Sequence, residues 1–288
     1  MDVQPNELSE SLSRAPGDAS ARPGAARTPT HIRNLPPASA TSLFGAEPLQ
    51  ATLREALADE AGRWRIALVG PGGIGKATLA RVCAARLADQ PGSHFQGIVW
   101  DTLQPQAAAG QRANLLAHPL STFDSLLEAI ALQLGYDEQV KVEAPKKEAF
   151  LRALLKSVPY LIVVDNLDAA SDGASLISAL QTLANPTKFL LTSRQRLPDA
   201  EGVWPITVAP LGDADALALL RHLAAERGLT ELAASSDSDL LALQRVCGGN
   251  PLALQLMGNL TAHRPLRQVM QELTPTSPVT ENDFRRRI

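Results

Sequence analysis

The chain has 288 residues, of which 45% are hydrophobic and 20% are charged, and its formal net charge at pH 7 is −3. This composition predicts a folded protein of one large domain or two ordinary ones, and the charge gives no basic footprint for nucleic acid or an anionic membrane. Without a signal-peptide pattern or an apolar run near the ~20 residues of a membrane span, a cytoplasmic protein is expected. Cys83 and Cys247 lie in apolar helical patterns and are predicted to be buried free thiols.

The first part of the chain differs in composition from the rest. Residues 1–40 are rich in Pro, Ala, Ser, Gly and Arg and lack apolar periodicity, so they are predicted to be a disordered tail. Leu49, Leu53 and Leu57 then recur at four-residue spacing, which predicts an amphipathic helix near residues 47–61.

A predicted strand at residues 65–69 runs directly into a glycine-rich loop and a helix that begins near Lys76. The loop matches the phosphate-binding pattern G-x-x-x-x-G-K-[ST], except that Ala77 stands at the last position. Its glycines let the backbone turn tightly and aim N–H groups at an anion, and the Lys76 ammonium can reach the phosphates. The loop glycines are Gly70, Gly72, Gly73 and Gly75.

Ala77 removes the hydroxyl group that this position normally offers to Mg²⁺. Thr78 cannot simply substitute, because one residue along a helix rotates the side chain by ~100°. Water can complete the Mg²⁺ octahedron, since this ion keeps several waters in proteins. The loop therefore predicts nucleotide binding more strongly than it predicts hydrolysis.

After the loop, apolar strands alternate with helices as far as residue 208. The strands are predicted at 97–103, 160–165, 189–192 and 204–208, with helices at 122–134, 147–157 and 174–183. This alternation indicates an α/β fold, a parallel sheet sandwiched by helices. From Asp213 onward only helical spacing remains, at 214–227, 238–246, 251–261 and 266–273, which predicts a small all-α domain. The predicted organisation is a tail (1–40), a nucleotide-binding domain (41–211), a helical domain (212–274) and a polar tail (275–288).

Two strand ends carry candidate site residues. Asp165 ends a buried strand, where a Mg²⁺-binding aspartate sits in phosphate-loop folds, although it could instead cap the next helix. Asn166 can position a water molecule but is no base, and Asp168 is a weaker candidate that could cap the following helix. Arg194, after the strand at 189–192, could contact a γ-phosphate through its forked donors or could be a surface arginine.

The helix at 251–261 begins with a pattern that has a complete structural interpretation. Asn250 is a good N-cap residue, and Pro251 is preorganised for the first helical position.

The glycine loop, the strand ends at Asp165 and Arg194, and the helix start at Pro251 occur in this order, with further helices after the last strand. In this they resemble the NB-ARC family of STAND signal-transduction NTPases, which includes apoptotic ATPases and plant disease-resistance proteins. The bacterial regulator branch is the most similar, and the resemblance covers about residues 40–273. The matching segments are GPGGIGKATLA, LIVVDNLD, FLLTSR and GGNPLAL, with TSLFGAE upstream.

The resemblance implies a role for each matching residue. Pro251 would lie against the adenine of ADP or ATP, with Phe44 and Gly45 near the base, and Asp165 would hold Mg²⁺ directly or through water. The implied catalytic residues are Lys76, Asp165 and Arg194. The implied nucleotide-binding residues are Phe44, Gly45, Gly70, Gly72, Gly73, Ile74, Gly75, Lys76, Ala77, Thr78, Arg194 and Pro251.

The family uses ADP-bound closed and ATP-bound open states as a slow switch that controls oligomerisation. Here Ala46 replaces an arginine of the family's upstream motif, and the fifteen residues after Leu273 are too few for its winged-helix domain and ADP-sensing histidine. The expectation is a truncated ADP/ATP-binding switch module with weak or absent hydrolysis. Its expected partners are nucleotide and either further copies of itself or a separate sensor or effector protein.

Two other functions are compatible with the sequence. The first is a Mg²⁺-dependent ATPase of STAND or AAA+ type. The lack of an obvious catalytic carboxylate after Asp165 argues against it. The second is a decayed scaffold that acts without nucleotide through its helices. Measured hydrolysis would favour the first, and a folded protein that binds no ADP would favour the second.

Overall fold

The computed structural model describes residues 32–37, 43–90, 92–103, 122–170, 172–197 and 202–273. By its contacts the chain divides into two units, Met1–Thr30 and His31–Ile288, and everything described here belongs to the second. The predictions for residues 1–31 and 38–40, and for the polar tail at 275–288, lie outside the described residues.

The described strands form one sheet in which every pairing is parallel. Their order across the sheet is β1-β3-β4-β5-β2-β6, so the strand before the glycine loop lies between β5 and β6. In chain order the strands are β1 (Ile32–Arg33), β2 (Arg65–Val69), β3 (Gly97–Thr102), β4 (Leu161–Asp165), β5 (Lys188–Ser193) and β6 (Val203–Thr207).

The helices fall into two groups along the chain. The first group is α1 (Glu47–Ala58), α2 (Lys76–Asp89), α3 (Phe123–Gln133), α4 (Asp137–Val140), α5 (Ala144–Ser157) and α6 (Gly173–Leu183). The second group, which follows the last strand, is α7 (Asp213–Arg227), α8 (Thr230–Ala234), α9 (Asp237–Val246), α10 (Pro251–Leu260) and α11 (Leu266–Leu273). Each predicted end lies within one residue of the observed one, except that α1 ends three residues early and α5 begins three residues early.

Alternate residues of each strand pack on opposite faces of the sheet. Ile66 and Leu68 of β2 are buried with α1 and α2, whereas Ala67 and Val69 are buried with α3, α5 and α6. Since helices cover both faces, the strands read as continuous apolar runs rather than alternating ones. The predicted α/β fold is confirmed.

The end of α1 is stabilised by a residue that is distant in the sequence. The buried ammonium group of Lys188, at the start of β5, donates to the carbonyl oxygens of Ala56 (3.1 Å), Asp59 (2.6 Å) and Gly62 (2.9 Å). These carbonyl groups lie at or just beyond the end of α1, where backbone acceptors lack helical partners. A residue 129 positions later than Asp59 thus satisfies this helix end, which no local sequence pattern signals.

Short elements were missed by the sequence analysis. The two-residue strand β1 pairs with β3, Ile32 opposite Gly97, although residues 1–40 were predicted to be a disordered tail. For residues 32–37 that prediction is wrong: Asn34 N–H donates to the carbonyl oxygen of Ile98, and Arg81 donates to that of Pro36. Helices α4 and α8 and a 3₁₀ turn at Leu167–Ala169 were also not predicted, because they are too short to show a period.

Helices α7 to α11 enclose a core of their own, in which Leu220, Leu240 and Leu254 are fully buried. Cys247 belongs to this core and Cys83 to the core beneath α2, and both are free thiols. Burial raises the pKa of the Cys83 thiol to about 11 and that of Cys247 to about 12. The prediction of buried free thiols is confirmed.

Strand β6 is an edge strand that carries a proline. Val208 N–H donates to the carbonyl oxygen of Val69, and residues of a strand alternate in the side to which they bond. Ile206 therefore also faces β2, and Pro205 faces outward, where its missing N–H costs the ladder nothing.

Within the described segments, no helix is both long and apolar enough to cross a membrane.

Candidate functional site

A cavity of about 700 Å³ lies where β2, β4 and β5 end, bounded on its other side by α7 and α10. Every predicted site residue except Gly70 lines it, including Lys76, Asp165, Arg194 and Pro251. Residues separated by up to about 200 positions are thus brought to one place, since the carboxyl ends of parallel strands meet at one edge of a sheet.

Lys76 is the first residue of α2, and its side chain is largely buried. Its Nζ donates to the carbonyl oxygens of Gly70 (2.7 Å) and Pro71 (2.8 Å). The ammonium group is therefore held against the start of the loop that precedes it. Gly75, the residue before it, has a φ of 102°, which a residue with a side chain rarely adopts.

Two of the loop glycines are required by close packing as well as by the turn. A Cβ atom on Gly73 would lie 2.8 Å from the Cβ of Leu252, and one on Gly70 would lie 2.6 Å from the carbonyl oxygen of Val208. Both distances are shorter than real carbon contacts, so larger residues would push the loop away from α10 or β6. The sequence pattern predicted the glycines but not this reason for them.

Asp165 ends β4 and lines the cavity. Its Oδ1 accepts a hydrogen bond from the hydroxyl of Thr192 at 2.6 Å, and that hydroxyl accepts the backbone N–H of Asn166 at 2.9 Å. The alternative that Asp165 caps the next helix is wrong, because the N-cap of α6 is Asp172, which accepts from Ser175 N–H at 3.0 Å.

Asn166 and Asp168 serve the backbone around the site. Asn166 has a φ of 63°, and its Nδ2 donates to the carbonyl oxygen of Leu103 at 3.0 Å. The sequence suggested that Asp168 could cap the next helix, but in the structure it does not. Its Oδ1 accepts from the Ser193 hydroxyl at 3.1 Å, and its Oδ2 accepts from Arg194 N–H at 2.7 Å. Asp168 thus fixes the end of β5, from which the exposed Arg194 side chain reaches the cavity wall.

The described residues fit a nucleotide-bound Mg²⁺ better than a metal ion held by protein alone. Within the described segments, no three His, Cys, Asp or Glu side chains lie together as a metal-binding cluster. Mg²⁺ is commonly held through one or two carboxylates, waters and the phosphates of its nucleotide, and Asp165 can supply one carboxylate. Ala77 and Thr78 both line the cavity, and Ala77 offers no oxygen.

The other end of the cavity is apolar and is joined to α7. The ring of Phe44 packs against that of His222 with centroids 5.4 Å apart, and Gly45 has no room for a Cβ beside the Asp215 carboxylate. Leu219 and Gln255 also lie in this wall, and neither was predicted as a site residue. Gln255 follows Pro251 by four residues and so lies on the same helix face. This spacing is the sequence pattern from which its place in the wall could have been predicted.

Asn250 has a further role that the sequence analysis did not predict. It caps α10 as expected, with Oδ1 accepting from Leu252 N–H (3.0 Å) and Ala253 N–H (3.2 Å). Its Nδ2 also donates to the carbonyl oxygen of Gly72 at 2.8 Å, a residue 178 positions earlier.

Comparison with known proteins agrees with this architecture. The family model described as NB-ARC domain matches residues 47–229, which is more than half of the chain. No curated protein matches the sequence.

Solved structures with a similar fold include the ORC2 protein of Aeropyrum pernix, solved as ADPNP-ADP complexes, at 17% identity and a TM-score of 0.51, covering 83% of this chain and 68% of that one. Drosophila ORC bound to DNA is similar at 16% identity and a TM-score of 0.52, covering 92% of this chain and 70% of that one. At such identities the likeness concerns the fold alone.

Proposed function

Because the chain belongs to the NB-ARC domain family, we propose that it is a signalling switch module that binds ADP and ATP and hydrolyses ATP weakly or not at all. The observation that carries the proposal is that the phosphate loop, Asp165, Arg194 and Pro251 line the same cavity. These residues come from four separate elements, and an apolar pocket with a few convergent polar groups is the usual form of a ligand site.

We assign the polar end of the cavity to phosphates. Lys76 and the N–H groups from Gly72 to Gly75, including that of Ile74, would hold the phosphates, and Thr78 would lie near the α- or β-phosphate. Asp165 holds Mg²⁺ directly or through water, and Mg²⁺ supplies charge neutralisation when bound. Arg194 distinguishes ATP from ADP by contacting a terminal phosphate. Phe44, Gly45 and Pro251 contact the base.

The polar side chains around Asp165 already have hydrogen-bond partners, and this supports the proposal of weak hydrolysis. Ala77 provides no oxygen to Mg²⁺, and the Nδ2 group of Asn166 is bonded to Leu103. The second carboxylate in the cavity wall, Asp168, accepts hydrogen bonds from Ser193 and Arg194, so it is not placed to deprotonate a water. A general base must reach the proton it removes, and these residues do not supply one.

We further propose that residues 41–211 and 212–274 act as a nucleotide-binding domain and a helical domain, followed by a polar tail at 275–288. The signal would pass to other copies of the chain or to a separate sensor or effector protein. The helical core around Leu220 and Leu254 supports a separate helical body, and Phe44 links it to the cavity.

The test is isothermal titration calorimetry of ADP and of ATP, with and without Mg²⁺, on the full chain. We expect low-micromolar or tighter ADP binding that depends only mildly on Mg²⁺, and a loss of at least about tenfold in Lys76→Ala, since a charged hydrogen bond contributes ~1.5–3 kcal/mol. The control is Lys141→Ala, which removes an exposed lysine paired with Glu138 outside the cavity wall. A folded wild type that binds neither nucleotide would contradict the proposal and favour the scaffold function.

A second candidate function, a Mg²⁺-dependent ATPase, is favoured by the hydrogen bond that orients Asp165. A carboxylate fixed by Thr192 at 2.6 Å is suited to hold a metal ion during turnover. Steady-state release of phosphate from ATP, abolished in Lys76→Ala, would support this alternative.

A further inference from the structure

The first turn of α10 holds the phosphate loop by its carbonyl groups. Asn250 Nδ2 donates to the carbonyl oxygen of Gly72 at 2.8 Å, and Leu252 N–H donates to that of Gly73 at 3.3 Å. The preceding carbonyl groups, those of Gly70 and Pro71, accept from Lys76. The carbonyl oxygens of residues 70–73 are thus all bonded to groups of the protein.

This arrangement fixes the direction of the loop's N–H groups. In a planar trans peptide, the C=O of one residue and the N–H of the next point in opposite directions. Because the carbonyl groups of Gly72 and Gly73 point toward α10, the N–H groups of Gly73 and Ile74 point away from it. Successive N–H groups held in this way form a concave anion site.

The contact leaves little room for independent movement of its two sides. A Cβ on Gly73 would lie 2.8 Å from the Cβ of Leu252 and 3.0 Å from Asn250 Oδ1. On its other face α10 is fixed by Ala253 and Leu254, which are buried in the core of α7 to α11. A displacement of the helical body would therefore pull on the loop through α10.

We propose that Asn250 is a positioning residue that couples the phosphate loop to helices α7 to α11. Through its Nδ2 it sets the loop N–H groups in the direction that a phosphate requires, and through its Oδ1 it begins α10. Binding at the loop and order at the start of α10 then strengthen each other, because the coupling between two sites is reciprocal. The identity of the ligand as ADP rests on the proposed function, whereas the effect of Asn250 on the loop does not.

The two roles of Asn250 can be separated by substitution. Asn250→Ser keeps an oxygen that caps α10 but removes the amide donor that reaches Gly72. Asn250→Asp keeps the shape and the cap, and replaces that donor with an acceptor. The matched control is Ser236→Ala, which removes the cap of α9, where Ser236 accepts from Asp239 N–H, outside the loop and the cavity wall.

The first measurement is amide hydrogen exchange without nucleotide. In Asn250→Ser the loop segment 70–76 should exchange about three- to tenfold faster than in wild type, which corresponds to the loss of one hydrogen bond. In Ser236→Ala it should exchange at the wild-type rate. If Asn250→Ser lowers the thermal midpoint but leaves loop exchange unchanged, Asn250 is only a cap and the coupling is overturned. Should that variant not fold, Asn250→Asp is measured in its place against the same criterion.

The second measurement uses ADP. In wild type, ADP should slow exchange at residues 251–257, and in Asn250→Ser it should bind about three- to tenfold more weakly and lose this protection even at saturation. Equal affinity and equal protection in both proteins would overturn the coupling. If wild type binds no ADP while Asn250→Ser still loosens the loop, the proposed function fails and the role of Asn250 stands.

Discussion

The hydroxyl of Thr192 donates to Asp165 Oδ1 at 2.6 Å and accepts the backbone N–H of Asn166 at 2.9 Å. One side chain on β5 therefore orients the carboxylate at the end of β4 and stabilises the left-handed residue that follows it. Both hydrogen bonds are made by one hydroxyl group, and Thr192 itself is buried.

Thr192→Val should weaken both bonds. The valine keeps the shape but leaves the Asn166 N–H without its acceptor, which costs about 1–3 kcal/mol in the free energy of unfolding. The same change should raise the Mg²⁺ concentration needed for tight ATP binding, since the Asp165 carboxylate loses its orientation. Urea denaturation and a Mg²⁺ titration measure the two effects. Thr192→Ser keeps the hydroxyl and should behave as wild type. Equal Mg²⁺ requirements in the valine and serine variants would contradict the role of Thr192 in orienting the Asp165 carboxylate.

Ala77→Thr should restore a hydroxyl to the phosphate loop. If the missing hydroxyl limits hydrolysis, the rate of phosphate release should rise about ten- to a hundredfold, which corresponds to ~1.4–3 kcal/mol in the barrier. Ala77→Val controls for size, because it adds a branched side chain without oxygen. A wild type that already hydrolyses ATP as fast as Ala77→Thr would show that the interpretation of Ala77 is wrong.

Lys147→Met should destabilise the protein without affecting nucleotide binding. Lys147 is 2% exposed and donates to Asp124 (2.9 Å) and Glu128 (2.7 Å) across α3 and α5. Burial alone would lower the Lys147 pKa, but the hydrogen bonds with Glu128 and Asp124 outweigh it and raise the pKa. Methionine fills the space but gives neither partly exposed carboxylate the hydrogen bond that Lys147 provides, so a loss of about 1–2 kcal/mol is expected in urea denaturation. The ADP affinity of Lys147→Met should equal that of wild type.

The two thiols should report on unfolding and on its pH dependence. Burial raises the pKa of Cys83 from 9.0 to about 11 and that of Cys247 from 9.0 to about 12, so neither is a thiolate near pH 8 in the folded protein. Alkylation at pH 8 should therefore follow unfolding, and ADP should slow it. Both thiol pKa values are raised on folding, so ionisation of the thiols favours the unfolded chain. The stability of the folded protein is therefore unaffected by the thiols below pH 9 and falls as the pH rises toward 11 and 12. Rapid labelling of the native protein at pH 8 would contradict this expectation.

The phosphate loop could be predicted from the sequence because its pattern is contiguous. The turn, the lysine and the start of α2 all lie within residues 70–76, so spacing alone places them. The strand ends at Asp165 and Arg194 were predictable for a similar reason, since buried parallel strands are long apolar runs whose last residues face one edge.

Contacts between distant residues could not be predicted. Asn250 is a sufficient helix cap by its local pattern, and nothing in that pattern signals its bond to Gly72. Asp168 was considered a weaker site candidate that could cap a helix, whereas it bonds to the end of β5, which pairs with β4 only in the folded sheet. Such bonds depend on the order of strands across the sheet, which local propensity does not contain.

The outward-facing Pro205 of β6 has a consequence for assembly. Each residue that faces outward on an edge strand offers a donor and an acceptor to a neighbouring strand, and Pro205 offers no donor. A strand from another copy of the chain therefore cannot complete a regular ladder along this edge. If copies of this protein associate when they signal, they do not do so by adding a regular strand to the sheet on the side of β6.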